Sequence, residues 1–332
     1  MPQNCEFESK EVNWEVDGIK IYGTLTTPTG EDTSKAVVFV AGSGPTDRDW
    51  CSPLLPGTNG SAKLIAEELS QRGFITLRYD KRGSGPNIKE TMAKMIGKIS
   101  MKSHMDELEG AVKTTLSHIK TSSKSMFALT NSEGAIHALN YQVQSTSNRF
   151  KGIVLSGAPG RSIGQVARSQ IQNQLKSLPN ADYLLKRYDA TIDSFVSGQP
   201  IMPDPSLPEG IRLLLQGLAS PANLPFAREL WTYNASDFIS KVPEPALIMI
   251  GKKDIQVDWQ VDGKALQEAT IGKENISFSY PDNADHVLKH EERPREKILS
   301  DATLRYNTED RVLDYEAMNT ILKWLLRISN LT

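Results

Sequence analysis

Ser132 stands where an apolar, strand-type run, MFALT (126–130), gives way to a helical pattern, NSEGAIHALNYQV. A serine hydroxyl held on such a turn can attack a carbonyl carbon once a base takes its proton. The same Asn131-Ser132 pair could equally serve only to cap the helix. The histidines are His104, His118, His137, His286 and His290, and only the last two follow a late strand. His286 lies in PDNADHVL, just past the strand-like ISFSY, whereas His290 opens the run KHEERPREK, which reads as a charged, solvated stretch. Two carboxylates follow the strand-like PALIMIG: Asp254, four residues beyond Ile250, and Asp258, four further on. Asp282 and Asp285 stand close to His286 and read as shaping its loop. Glycines flank Ser43 in AGSGPTDRDW (41–50), which lets backbone approach a ligand closely, although a plain Gly-Pro turn explains the same residues. A second glycine-rich turn is RYDKRGSG (78–85). A phosphate cradle is disfavoured, because neither GxxxxGK[ST] nor a GxGxxG after the first strand is present.

These residues need a scaffold, and the chain's rhythm supplies one. Residues 12–27 read as two short strands around the Asp17-Gly18 turn. AVVFVAG (36–42) is a continuous apolar run, as expected of a strand buried on both faces. SAKLIAEELSQRG (61–73) has helical spacing, FITLRYD (74–80) is strand-like, and MDELEGAVKTTLSHI (105–119) is amphipathic. FKGIVLSG (150–157), PALIMIG (245–251) and ISFSY (276–280) continue the strands, with helices at 260–269 and near 314–328. Alternation of this kind predicts an α/β fold with a mostly parallel sheet covered on both faces by helices. It is interrupted between Arg161 and Lys241, where helical patterns and the prolines at 200, 203, 205 and 208 take over. The division expected is therefore a core of residues 1–160 and 242–332 with a helical cap inserted at 161–241.

Composition narrows the class. The 332 residues are 39% apolar and 23% charged, with a formal net charge of −2. No basic excess points to nucleic acid. The apolar runs are strand-length, far short of the roughly 18 residues of a membrane span. Two cysteines, Cys5 and Cys51, make no disulfide framework and no metal-ligand spacing. The opening MPQNCEFESK has no basic segment followed by an apolar one, so a cytoplasmic protein is expected.

The junction around Ser132 resembles the G-x-S-x-G nucleophile elbow of the α/β-hydrolase superfamily, with Thr130 where the pattern has its first glycine. The GSGPTDRD loop, the YDKRGSG turn, the NSEG elbow and the DHVL histidine occur in the order that superfamily uses, and together resemble a bacterial serine-esterase branch. The oxyanion loop has Ala41 where the family has histidine. The resemblance spans about Val12 to the C-terminus outside the cap. It implies an α/β-hydrolase fold with Ser132 as nucleophile, His286 as general base and Asp254 as the acid that orients it, Asp258 being the alternative acid. It also implies an oxyanion hole from the backbone amides of Ser43 and Glu133. It implies no metal and no dissociable cofactor. Asp47-Arg48-Asp49 reads as loop-ordering ion pairs, with substrate contact as the alternative, and Asp80 and Arg82 read as fixing the neighbouring loops. A serine at the elbow argues against the dehalogenases and epoxide hydrolases that share the fold with an aspartate nucleophile.

The function expected is a carboxylesterase acting on a small-molecule ester through an acyl-enzyme. A thioesterase, peptidase or acyltransferase would use the same machinery. A non-catalytic ligand-binding homologue is the reading from another class. Leu213, Leu214, Leu215, Leu218, Phe226 and Trp231 suggest an apolar surface on the cap.

Overall fold

A computed structural model describes residues 5–30, 33–121, 124–301 and 303–331. Eight strands form one sheet in the order β1-β2-β4-β3-β5-β6-β7-β8. β1 (Phe7–Val16) and β2 (Ile19–Pro28) form a hairpin around Asp17-Gly18, and β2 runs antiparallel to β4 (Ile75–Tyr79). From β4 onward the sheet is parallel: β3 (Lys35–Val40), β5 (Ser125–Asn131), β6 (Gly152–Ser156), β7 (Ala246–Met249) and β8 (Ile276–Ser279).

The apolar run of β3 has a simple cause. Ala36, Val38 and Val40 point to one face, where α3 (Met101–His118), α4 (Gly134–Gln144) and α10 (Val261–Ala269) pack. Val37, Phe39 and Ala41 point to the other, against α1 (Ser61–Gln71) and α12 (Tyr315–Ser329). Both faces are dry, so alternation by polarity vanishes. A short helix, α2 (Ile88–Met95), precedes α3, and α11 (Arg295–Ser300) precedes α12.

Between β6 and β7 the chain forms five helices: α5 (Ile163–Leu175), α6 (Ala181–Val196), α7 (Glu209–Leu218), α8 (Phe226–Trp231) and α9 (Ala235–Ile239). Ile171, Leu175, Leu184, Tyr188, Ile211 and Leu215 close a small apolar core among α5, α6 and α7. α9 lies back on α4 and α10. The six apolar residues picked from the sequence do not make one surface. Leu215 and Trp231 are buried in two different clusters, while Leu213 and Leu214 are exposed. Among the described residues no helix is long and apolar enough to cross a membrane.

Candidate active site

β5 ends at Asn131, and α4 begins at Gly134. Two residues must turn the chain from strand to helix, and Ser132 does so with φ +54°. A non-glycine residue in this region carries strain of order 1 kcal/mol or more. The turn is stitched to the next strand, because the Ser132 amide donates to the Ser156 carbonyl at 2.8 Å. Gly134 allows the helix to start tight against β3: a Cβ there would collide with the Val40 carbonyl oxygen.

Beyond β6 comes Gly157, with φ +55°. A Cβ at this position would lie 3.1 Å from His286 Nδ1 and 3.5 Å from Asp254 Oδ2. His286 and Asp254 therefore meet beside the strand end to which Ser132 is bonded. His286 Nδ1 is 2.8 Å from Asp254 Oδ2, and both side chains are buried. The other oxygen, Asp254 Oδ1, accepts from the amides of Gln256 at 2.8 Å and Val257 at 2.9 Å. Burial alone would lower the pKa of His286, but the charge and hydrogen bond of Asp254 overcome it and hold the imidazole above its ordinary value. Asn131 Nδ2 donates to the His286 carbonyl at 2.8 Å, tying the histidine loop to the elbow.

Asp258 is engaged elsewhere. Its Oδ1 caps α10 through the amides of Gln260 and Val261, and its Oδ2 lies 3.0 Å from Arg295. Asp285 does shape the histidine loop, accepting from the amides of Val287 and Lys289 and from Arg311. Burial pushes its pKa up to about 6. The run after it is solvated only in part: Glu292, Glu296 and Lys297 are exposed, but two of its charges are not. Lys289 is fully buried with its amine on the Asn59 carbonyl, and Glu291 pairs with Arg293 and Arg311.

The loop after β3 brings Gly42 against the elbow, where a Cβ on Gly42 would sit 3.3 Å from Ser132 Cβ. Ser43 follows it, and among the described residues the Ser43 and Glu133 amides are not paired in a turn or cap. Most of the neighbouring charges pair as expected: Arg48 with Asp80 and Glu11, Arg78 with Asp49, and Arg82 with Glu107, whereas Asp47 orders its loop by accepting from the Asp49 and Cys51 amides.

Sequence reasoning passed over a buried polar network behind the elbow. Lys81, between Asp80 and Arg82, sends its amine to the Gly42 carbonyl and sits 3.7 Å from Glu133 Oε1. Glu133 Oε1 also lies 3.0 Å from His137 Nε2. Burial would raise the Glu133 pKa, but the charge of Lys81 and hydrogen bonds from His137 and Ser43 hold it well below the carboxylate range. Burial pushes His137 down to about 4, so it is neutral near pH 7 and its Nε2–H donates to Glu133. The i, i+4 spacing of Glu133 and His137 on a helix was the available signal.

Sheet order and a strained serine turn at the carboxyl edge of its central strand define the class: the chain has the α/β-hydrolase fold. Comparisons with known proteins agree. The chain is 26% identical over 293 residues to the esterase EstD of Thermotoga maritima, a match covering 85% of this chain and 60% of EstD. It thus spans about 60% of that relative's length. An esterase of Pyrococcus furiosus superposes with a TM-score of 0.55 at 18% identity, covering 97% of this chain and 91% of the esterase. A proline iminopeptidase of Mycobacterium smegmatis gives a TM-score of 0.56 at 12% identity over 96% of this chain and 98% of the peptidase. At these identities the structural likenesses establish the fold. No protein-family model matches the chain.

Proposed function

We propose that the chain is a serine hydrolase that cleaves carboxylic esters through an acyl-enzyme. One observation carries this reading: the Ser132 turn is bonded to Ser156, the residue before the glycine that lies against the His286–Asp254 pair. Ser132 Oγ attacks the ester carbonyl carbon and gives its proton to His286 Nε2. The amides of Ser43 and Glu133 hold the oxyanion that forms. Collapse expels the alcohol, which takes the proton back from His286, and leaves the acyl group on Oγ. Water then attacks that acyl group with His286 again as base, and the acid departs. Asp254 keeps the proton of the resting imidazole on Nδ1 and stabilises the imidazolium. The resemblance to EstD, itself named an esterase, supports the choice of ester over other acyl substrates.

In this reading residues 161–241 are a cap over the core of residues 1–160 and 242–332, and the substrate is a small-molecule ester. A cytoplasmic setting belongs to the same proposal, supported by the two free cysteines, Cys5 and Cys51.

The test is intact-mass labelling with a fluorophosphonate, together with hydrolysis of short p-nitrophenyl esters, on wild type and Ser132→Ala. One adduct and turnover on wild type, with neither on the variant, is expected. Equal ester hydrolysis by both proteins would remove Ser132 from the chemistry.

A further inference from the structure

We propose that Lys81 is a positioning residue for the oxyanion hole: its amine, bound to the Gly42 carbonyl and paired with the Glu133 carboxylate, aims the Ser43 amide at the reacting carbonyl. This rests on the hydrolase reading above.

Lysine is almost never fully buried without a partner, and Lys81 is only 7% exposed. Its neighbours do not need it: Asp80 is paired with Arg48, and Arg82 with Glu107. Its own contacts lie on two other segments, the loop after β3 and the elbow. Those are the segments that carry the two amides assigned to the oxyanion.

Peptide geometry turns this contact into an orientation. Among the described residues the single cis bond is Leu224-Pro225, so Gly42-Ser43 is trans. In a planar trans peptide the C=O and the following N–H point in opposite directions. A lysine that captures the Gly42 oxygen therefore turns the Ser43 N–H away from itself. Gly42 packs against Asn131 and Ser132, so the peptide held in this way borders the nucleophile. Glu133 completes the clamp. Its carboxylate takes the His137 ring and the Lys81 charge, while its amide is the second donor of the hole. Without the lysine this peptide could rotate, and the donor would have to be reoriented in each turnover. Fixed donors stabilise a transition state because that reorganisation is already done.

The test uses Lys81→Met and the double variant Lys81→Met/Glu133→Gln, which leaves no unpaired charge behind. Each is assayed against an oxoester and its thionoester counterpart, with kcat and KM resolved, and thermal melts report folding. Losing one oxyanion donor costs about 10²–10³ in kcat, and a loosened donor should cost about 10–100-fold. The expected result is that loss on the oxoester, KM within about threefold, and a much smaller loss on the thionoester, since sulfur accepts hydrogen bonds poorly. The double variant should behave like the single one. Equal losses on both esters would mean a purely structural lysine and overturn the proposal. So would a double variant restored to the wild-type oxoester rate, because Lys81 would then only neutralise Glu133. If wild type hydrolyses neither ester and takes no fluorophosphonate on Ser132, the hydrolase reading itself fails and takes this one with it.

Discussion

Replacing Asp254 by asparagine should damage activity through the histidine tautomer. The two oxygens of Asp254 are not equivalent. Oδ1 accepts two backbone N–H groups, from Gln256 and Val257, and only an oxygen can do that. In Asp254→Asn the amide oxygen must therefore take the Oδ1 position, and the NH₂ group must face His286 Nδ1, where Oδ2 stood 2.8 Å away. An NH₂ group donates, so Nδ1 must become the acceptor and the ring proton moves to Nε2. That nitrogen can then no longer take a proton from Ser132. A wrong tautomer of this kind costs about 10⁴ in kcat, or about 5 kcal/mol of transition-state stabilisation. Stability should fall less, by about 1–3 kcal/mol for a disturbed buried hydrogen bond. The assay is kcat/KM on a p-nitrophenyl ester near pH 7, with a denaturant melt for the fold. Asp258→Asn is the control, because Asp258 caps α10 and pairs with Arg295; its rate should stay within a few-fold of wild type. A folded Asp254→Asn that loses less than tenfold, or an Asp258→Asn that loses as much, would refute the reasoning.

The pH profile follows from His286. Its pKa is raised and the base must be neutral to work, so kcat/KM should rise with pH through a midpoint above the ordinary value of about 6.5. The sign for stability is opposite: the protonated ring favours the fold below that value, and this contribution is lost as pH rises through the raised pKa. Melts of wild type against His286→Gln across that window check it. Ser132 sits at φ +54°, so Ser132→Gly should melt higher than Ser132→Ala, by about 1 kcal/mol, with both inactive. Equal melts would mean that the turn is unstrained. Gly157→Ala should press a methyl onto His286 at a backbone angle that suits glycine, lowering kcat by at least about tenfold and stability by about 1–2 kcal/mol. A fully active variant would place the histidine elsewhere in solution.

The sheet was legible because its strands are short apolar runs with both faces covered. Val37 and Val38 face opposite layers, yet both must be apolar. Ser132, Asp254 and His286 could be picked out because each follows closely on a strand, where a parallel sheet gathers its loops. Lys81 and Asn131 could not. Lys81 meets Gly42 across 39 residues, and Asn131 meets His286 across 155; local pattern carries no trace of either contact. Lys289 misled for the same reason. A lysine within KHEERPREK looks solvated until the distant Asn59 carbonyl is placed on its amine. The leucines of 213–218 show the limit of periodicity: the pattern makes α7 a helix, but not which leucines find a partner.

The five helices between β6 and β7 leave and rejoin the sheet at strands that are direct neighbours. The ends of this insertion are held together by the sheet itself, whatever lies between them. Changing its length costs little in loop entropy, since a doubling adds only about 0.6 kcal/mol. The segment is thus a module that can be exchanged while the sheet edge that carries Ser132 stays put. A second moor limits that freedom: the Phe226 amide binds the Ile99 carbonyl, and Glu229 accepts the Met101 amide at the head of α3. A transplanted insertion that keeps this latch would reach the same rim of the sheet; under the hydrolase proposal, that is a route to altered selectivity with Ser132, His286 and Asp254 left in place.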